Sequence, residues 1–235
     1  MKNKKGKLIV LEGVDGSGKS TQTKLLFSRL KKEGLKTAII DFPQYGKKSA
    51  GLVQEYLNGS YGAPDEVGPY RASIFYACDR YDASSKIRAW IQEGRIIVAD
   101  RYTISNIGHQ GGKIRDLKKW REFTRWLYDL EYGIFGIPKP DLILILKTSP
   151  NVAYSHSESA GRDGIKKKKR AAYLNGDRDI HERDKKHLAR ALVSYLRFQR
   201  ENPGGCEVVD CLKAGEFLPP EVIHKEVWLA VAKML

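Results

Sequence analysis

The chain has little cysteine. Three of its 235 residues are Cys (Cys78, Cys206 and Cys211), an odd and sparse set. That excludes a disulfide-stapled scaffold and points to a reducing compartment, the cytoplasm. Cys206 and Cys211 have no matching pair elsewhere, which argues against a zinc site. Long apolar runs are missing too. No stretch approaches the roughly 18–20 residues that a membrane-spanning helix requires. The apolar segment after the basic start stops at Glu12, too early for a signal-peptide core. There is no internal repeat and no low-complexity linker. Zinc-finger, recognition-helix and RNA-binding signatures are absent as well. Acidic residues are in the minority. The chain has 42 Lys plus Arg against 28 Asp plus Glu, a net charge of +14. Such a surplus favours anionic partners, nucleotides and nucleic acids among them.

What is present is a strand–helix alternation in a chain of ordinary apolar content, 41%. Short Val/Ile/Leu segments stand at Leu8–Leu11, Ala38–Ile40, Ile96–Ala99 and Leu142–Leu146, with a weaker one at Glu207–Val209. They run continuously apolar, as strands buried on both faces do. Amphipathic stretches separate them at Thr21–Lys32, Val67–Gln92, Leu117–Tyr132, Asp179–Arg200 and Pro220–Lys233. The pattern predicts an α/β fold of three layers, a five-stranded parallel sheet with helices on both faces. The length fits a single domain over residues 1–235. One segment stands apart. Ser155–Asp177 is polar, basic and glycine-containing, and is expected to form a mobile basic lid at about 155–178.

The sharpest motif is Gly13-Val14-Asp15-Gly16-Ser17-Gly18-Lys19-Ser20. It matches G-x-x-x-x-G-K-[ST] and lies between a predicted strand and a predicted helix, where a phosphate-binding loop belongs. Glycines let the backbone wrap a phosphate chain, and successive N–H groups and the helix N-terminus point at the anion. Gly13, Gly16, Ser17, Gly18, Lys19, Ser20 and Thr21 are thus the candidate ATP-binding residues. Lys19 would reach the β- and γ-phosphates, and Ser20 would offer its hydroxyl to Mg²⁺. A second strand, Ile96–Ala99, ends in Asp100-Arg101. Ligands of open α/β sheets bind at the carboxyl ends of strands, so Asp100 is a candidate magnesium-associated carboxylate.

Further segments in order extend the match. They are Phe42-Pro43-Gln44-Tyr45-Gly46, Phe75-Tyr76-Ala77-Cys78-Asp79-Arg80, Asp100-Arg101-Tyr102 with Ser105-Asn106, Pro138-Lys139-Pro140-Asp141-Leu142, and Asp179-Ile180-His181-Glu182-Arg183-Asp184. With the loop they make the chain resemble the thymidylate kinase family from about residue 7 to about residue 200. The resemblance implies transfer of the γ-phosphoryl of Mg·ATP to dTMP, giving dTDP and ADP, in an enzyme that is commonly a homodimer. It implies an acceptor site of Asp15, Phe42, Pro43, Tyr45, Tyr76, Arg80, Arg101, Ser105, Asn106, His109, Asp179 and Glu182. Tyr76 and Arg80 are four apart and share a helix face. The resemblance makes Tyr76 the stacking partner of thymine and Arg80 a contact of the base or acceptor. Arg101 would grip the acceptor phosphate, which a planar guanidinium does in a bidentate way. Asp15 would sit near that phosphate and join Ser20 and Asp100 at the metal. Asp179 and Glu182 also fit a helix cap with its partner three residues on.

Two departures matter. The family often has Arg at the position of Gln44, and some members have Arg at that of Gly16. Charge on the transferred group then has to be met from elsewhere. Among the lid cations, Arg162 and Arg170, with Arg178, are the candidate arginine fingers. Two rival readings differ from this one. A deoxynucleoside kinase, or another monophosphate kinase, would keep the loop and change the acceptor pocket. A nucleic-acid-binding ATPase would use the positive charge, but no recognition signature supports it. The apolar helix Leu117–Tyr132, with Phe123, Trp126, Leu127 and Leu130, fits either a support for the dimer that the resemblance implies or the core of a monomer.

Overall fold

The computed structural model describes residues 5–161 and 185–235. Five strands form one sheet: β1 Lys7–Glu12, β2 Thr37–Asp41, β3 Ile96–Asp100, β4 Leu142–Lys147 and β5 Cys206–Asp210. Their order is β2-β3-β1-β4-β5, and every pairing is parallel. The sheet is the predicted one. β1 lies at its centre, and Leu8, Ile9, Val10 and Leu11 are fully buried. β2 departs from the expected continuous burial. It is an edge strand, with Ala38 and Ile40 inside and Ile39 exposed.

Helices cover both faces. They are α1 Lys19–Lys32, α2 Gly51–Leu57, α3 Pro64–Gln92, α4 Thr103–His109, α5 Leu117–Tyr128, α6 Pro150–Gly161, α7 Lys185–Glu201 and α8 Pro220–Ala232. On one face α1 and α8 seal a core of Ile9, Leu11, Leu26, Leu30, Leu144 and Val227. On the other face a larger core joins Leu8, Val10, Ile87, Ile107, Trp120, Leu127 and Tyr195, drawn from β1, α3, α4, α5 and α7. The sheet is thus the middle layer of three. A satellite cluster of Val53, Tyr56, Leu57, Val67 and Ala72 sits beneath α2.

Three local features fall outside the sequence reading. α3 starts at Pro64 but breaks at Gly68, where φ is 75° and ψ 167°. Only glycine enters that region cheaply, and Pro69 then restarts the helix with its ring at a tolerated first position. α5 passes into a π-helical turn, Asp129–Ile134. Two-residue strands β6 (Leu212–Lys213) and β7 (Glu216–Phe217) pair into a hairpin after β5. The first residues of the expected lid, Ser155–Gly161, continue the helix α6. The rest of that segment, with Arg162, Arg170 and Arg178, lies outside the described residues, as do Asp179 and Glu182.

Candidate active site

The carboxyl ends of β1 and β3 are neighbours, Leu11 being in register with Asp100. That places the 13–20 loop beside Asp100-Arg101. Within the loop Gly13, Gly16 and Gly18 all take positive φ. Gly16 has a second reason to be glycine. A Cβ there would meet the Ala153 carbonyl oxygen of α6 at 1.9 Å. The loop has no room there for any side chain. The backbone N–H of Ser17 turns inward to the Val14 carbonyl at 3.1 Å. Its buried hydroxyl has no partner among the described residues.

Lys19 is 6% exposed, and its Nζ donates to the Val14 carbonyl at 2.8 Å. Burial pulls its pKa down to about 8, and Arg101 adds to the shift. Asp15, Asp100 and Glu12 oppose it. Asp100 moves the other way. Its carboxyl is raised by burial, with Lys19 and Arg101 holding it down. A desolvated cation and a desolvated carboxylate thus face the same loop.

Arg101 is the centre of the second half. Its φ of 70° is unusual for a residue with a side chain, and backbone strain of this kind is a feature of functional sites. Its N–H is held by the Leu11 carbonyl at 3.0 Å. One terminal nitrogen, Nη2, donates to Asp15. The other, Nη1, faces Ser105 Oγ at 3.4 Å and His109 Nε2 at 3.1 Å. Burial opposes the Arg101 charge, but Asp15, Tyr195, Asp100 and Glu12 raise its pKa.

Glu12 organises this corner and was absent from the sequence reading. It is fully buried at the end of β1. It accepts from Tyr102 N–H at 2.7 Å, Ser105 N–H at 3.1 Å, Ser105 Oγ at 2.7 Å and Tyr195 Oη at 3.1 Å. Burial raises its pKa, against the pull of Ser105, Arg101, Tyr102 and Lys19. The signal in the sequence was a carboxylate closing an otherwise apolar strand.

The remaining acceptor candidates line α3 and the β2 end. Phe42 is buried edge-on against Tyr102, with ring centroids 5.7 Å apart, and the Phe42–Pro43 peptide is cis. Tyr76 is half-buried against Tyr56, centroids 6.3 Å apart. Asn106 is buried and donates to the Ser73 carbonyl at 3.1 Å. Tyr45 is exposed. Arg80, expected at the base or acceptor, is a buried residue engaged by Glu131, at 2.6 Å from Nε and 2.7 Å from Nη2. The pair uses two of its five N–H donors. Thr103 Oγ1 donates to the same carboxylate at 3.0 Å.

Gln44 is also more than a missing cation. Its N–H donates to Asp79 at 2.8 Å, and its Nε2 lies 3.2 Å from the Asp79 carboxylate. Lys47 Nζ donates to Gln44 Oε1. A cation therefore does stand at this spot, three residues later in the chain. Neither Asp79 nor Lys47 was singled out from the sequence.

Both the sequence and the fold match known proteins. The sequence model described as thymidylate kinase covers residues 11–189. The chain belongs to the thymidylate kinase family. Thymidylate kinase of Mycobacterium tuberculosis is 28% identical over 200 residues, covering 84% of this chain and 88% of that protein. That of Pelotomaculum thermopropionicum is 28% identical over 98% of this chain and 95% of its own length. The solved thymidylate kinase of Candida albicans shares the fold, with a TM-score of 0.72 at 23% identity, over 97% of this chain and 92% of that one. Thymidylate kinases phosphorylate dTMP, and this family member is accordingly an enzyme of phosphoryl transfer. No helix among the described residues is long and apolar enough to cross a membrane.

Proposed function

We propose that the chain moves the γ-phosphoryl group of ATP to the 5′-phosphate of dTMP through the residues of this one sheet edge. The observation that carries the reading is the Arg101–Asp15 pair. It holds a guanidinium at the end of β3 against the phosphate loop, where an acceptor that already bears a phosphate would meet the donor. A nucleoside without a phosphate has no use for that cation.

On this reading Gly13, Gly16, Ser17, Gly18, Ser20 and Thr21 wrap the donor phosphates, and Lys19 neutralises the β- and γ-oxygens. The orphaned Ser17 hydroxyl and the depressed Lys19 fit an anion in the loop. Ser20, Asp100 and Asp15 would hold Mg²⁺, which supplies charge neutralisation on the phosphates. No cluster of three or more His, Cys, Asp or Glu among the described residues could hold a metal alone. That suits an ion carried largely by phosphate oxygens. Arg101 aligns the acceptor phosphate. Phe42, Pro43, Tyr45, Tyr76, Ser105, Asn106, His109 and the inner edge of Arg80 surround the nucleoside. Arg162, Arg170, Asp179 and Glu182 keep the roles read from the sequence. Positioning and charge neutralisation account for the catalysis.

One catalytic unit over residues 1–235, in the cytoplasm, belongs to the same reading. So does a homodimer, with a change of face. Trp120, Phe123 and Leu127 of α5 are buried in their own core. An exposed apolar stripe runs along α3, at Tyr70, Ile74 and Tyr81.

A coupled ADP-release assay tests the reaction, with Mg·ATP and dTMP, dUMP, dCMP, dGMP and thymidine. Turnover on dTMP, with weaker dUMP, is the expected result. Turnover on thymidine alone would overturn the acceptor half.

A further inference from the structure

His109 and His187 lie outside the phosphate loop, and nothing so far explains them as a pair. His109 closes α4 and His187 stands near the start of α7, 78 residues away. His109 Nδ1 is 3.2 Å from His187 Nε2, and the rings are stacked with centroids 5.4 Å apart. Tyr195 packs edge-on against His109 at 5.9 Å. His187 is 4% exposed.

Hydrogen-bond polarity orders this chain of three side chains. Arginine can only donate. The 3.1 Å contact between Arg101 Nη1 and His109 Nε2 therefore makes Nε2 the acceptor. A neutral imidazole has one donor and one acceptor, so the His109 proton sits on Nδ1. That proton points at His187 Nε2, which must then accept, leaving the His187 proton on its own Nδ1. Protonating either ring would set two donors face to face. The surroundings of His109 favour its neutral form. Burial is the main reason, Arg101 at the end of β3, His187 on α7 and Lys19 on α1 add to it, and Asp15 opposes them. Across α7, Tyr195 gives its hydroxyl to Glu12. From α3, Arg80 is neutralised by Glu131. Lys113 of the 111–113 turn is bound to Tyr56 Oη at 3.0 Å and the Pro64 carbonyl at 3.3 Å.

We infer that His109 and His187 form a polarised two-histidine relay that fixes the plane of the Arg101 guanidinium for the acceptor phosphate. His109 is then a positioning residue, and His187 positions it in turn. The inference rests on the phosphate-binding role of Arg101 proposed above. A planar fork needs acceptors at more than one nitrogen to hold its orientation. Asp15 fixes Nη2, and the nearer acceptor at Nη1 is His109, since Ser105 Oγ is 3.4 Å away. Histidine holds this place as a ring locked in one tautomer, which a freely rotating hydroxyl does not provide.

Two measurements test the relay. Nitrogen-15 NMR of the histidine rings in the full chain, without nucleotides, reads the tautomers directly. Both rings are expected neutral and protonated at Nδ1 at pH 7. An Nε2–H form of either ring, or a doubly protonated ring, overturns the relay. Steady-state kinetics supplies the functional half. His109→Phe should lower kcat/KM for dTMP by about 10- to 100-fold, the cost of a lost bond to a charged group, while moving the KM for ATP by less than about threefold. His109→Gln offers an oxygen to Arg101 and an N–H to His187, and should recover most of that loss. It should also remove the histidine component from the acid limb of the pH profile. Equal losses in both variants, or none in His109→Phe, overturn the relay. If wild-type protein does not turn over dTMP, the kinase reading fails while the NMR result still decides the tautomers.

Discussion

Arg80 and Glu131 close a two-pronged ion pair from residues 51 apart in sequence, at 2.6 and 2.7 Å, with both side chains buried. The carboxylate sits in the π-helical turn Asp129–Ile134. An extra residue per turn there re-aims the side chain toward α3, as such turns do at functional sites. The pair ties the α3 wall of the acceptor pocket to α4 through Thr103.

Removing one partner of this pair strands a buried charge. Glu131→Ala is expected to destabilise the fold by about 3–5 kcal/mol, whereas replacing both residues with apolar ones costs much less. Urea unfolding of Glu131→Ala and of an Arg80→Met/Glu131→Leu double variant measures the difference. Equal losses in the two would show that the Arg80 charge is not stranded when Glu131 is removed, being met by water or another group.

Gly16 shows what a motif reveals and what it hides. The glycine pattern was legible because its spacing carries phosphate chemistry on its own. What lies over the glycine was not, since the Ala153 carbonyl comes from 137 residues away. The same division holds elsewhere. The five strands followed from their apolar runs. Lys19 followed from the loop motif, and Asp100 and Arg101 from the end of a strand. Glu12, Asp79, Glu131, His187 and Tyr195 did not, because each acts by meeting a residue distant in sequence. A lone carboxylate or ring in an apolar stretch has no period to betray its partner.

Substituting that glycine should be costly for two separable reasons. Gly16→Ala meets a φ of 80° and the α6 backbone at 1.9 Å. Positive φ alone costs about 1 kcal/mol, and the contact forces α6 away from the loop. We expect a total loss of about 2–4 kcal/mol and weaker ATP binding. Gly34→Ala, at φ 76° with nothing within 4 Å, isolates the backbone part. Thermal unfolding of both variants separates the two. Equal shifts would mean that α6 is not seated on the loop in solution.

The hairpin after β5 brings an aromatic ring to the donor side. Phe217 lies 3.5 Å from where a Gly18 Cβ would be, and stacks on His156 at 4.4 Å. A ring beside the last glycine of the loop offers a flat apolar surface near the donor nucleoside. Phe217→Ala should raise the KM for ATP by about three- to tenfold, in line with the loss of one ring contact. The KM for dTMP should move by less than about twofold on the same scale. A selective rise for dTMP instead would move the ring to the other half-site.

His109 also sets a pH dependence of stability. Burial, with help from Arg101, holds its pKa well below the ordinary 6.5. Between the depressed value and 6.5 the unfolded chain binds a proton that the folded chain refuses. Stability therefore rises with pH through that window and is lost as pH falls below 6.5. The slope from one such group is at most about 1.4 kcal/mol per pH unit. His109→Phe should flatten the wild-type curve by that amount in urea melts between pH 5 and pH 7, since the variant has nothing there to protonate. Parallel curves would mean that folding leaves the His109 proton affinity unchanged, and a variant curve steeper than wild type would mean that His109 is charged in the fold.

The α3 stripe gives the proposed homodimer a test that does not depend on activity. Tyr70, Ile74 and Tyr81 are 41%, 38% and 54% exposed, and Ile134 is 77% exposed. Spacing of four and seven puts the three α3 residues along one side of the helix. Tyr70 and Tyr81 rest on Trp126 and Phe135, at centroid distances of 4.7 and 5.1 Å. The exposed edge is therefore backed by packed rings rather than by loose chain. In a two-fold dimer each substitution counts twice, once from each subunit. Ile74→Glu would bury two like charges near the axis. It should weaken association by at least about 100-fold, with little effect on the isolated fold because the position is open to solvent. Sedimentation velocity of wild type and variant reads this directly. A dimeric wild type and a monomeric variant are expected, whereas a variant that remains dimeric would place the interface on another face.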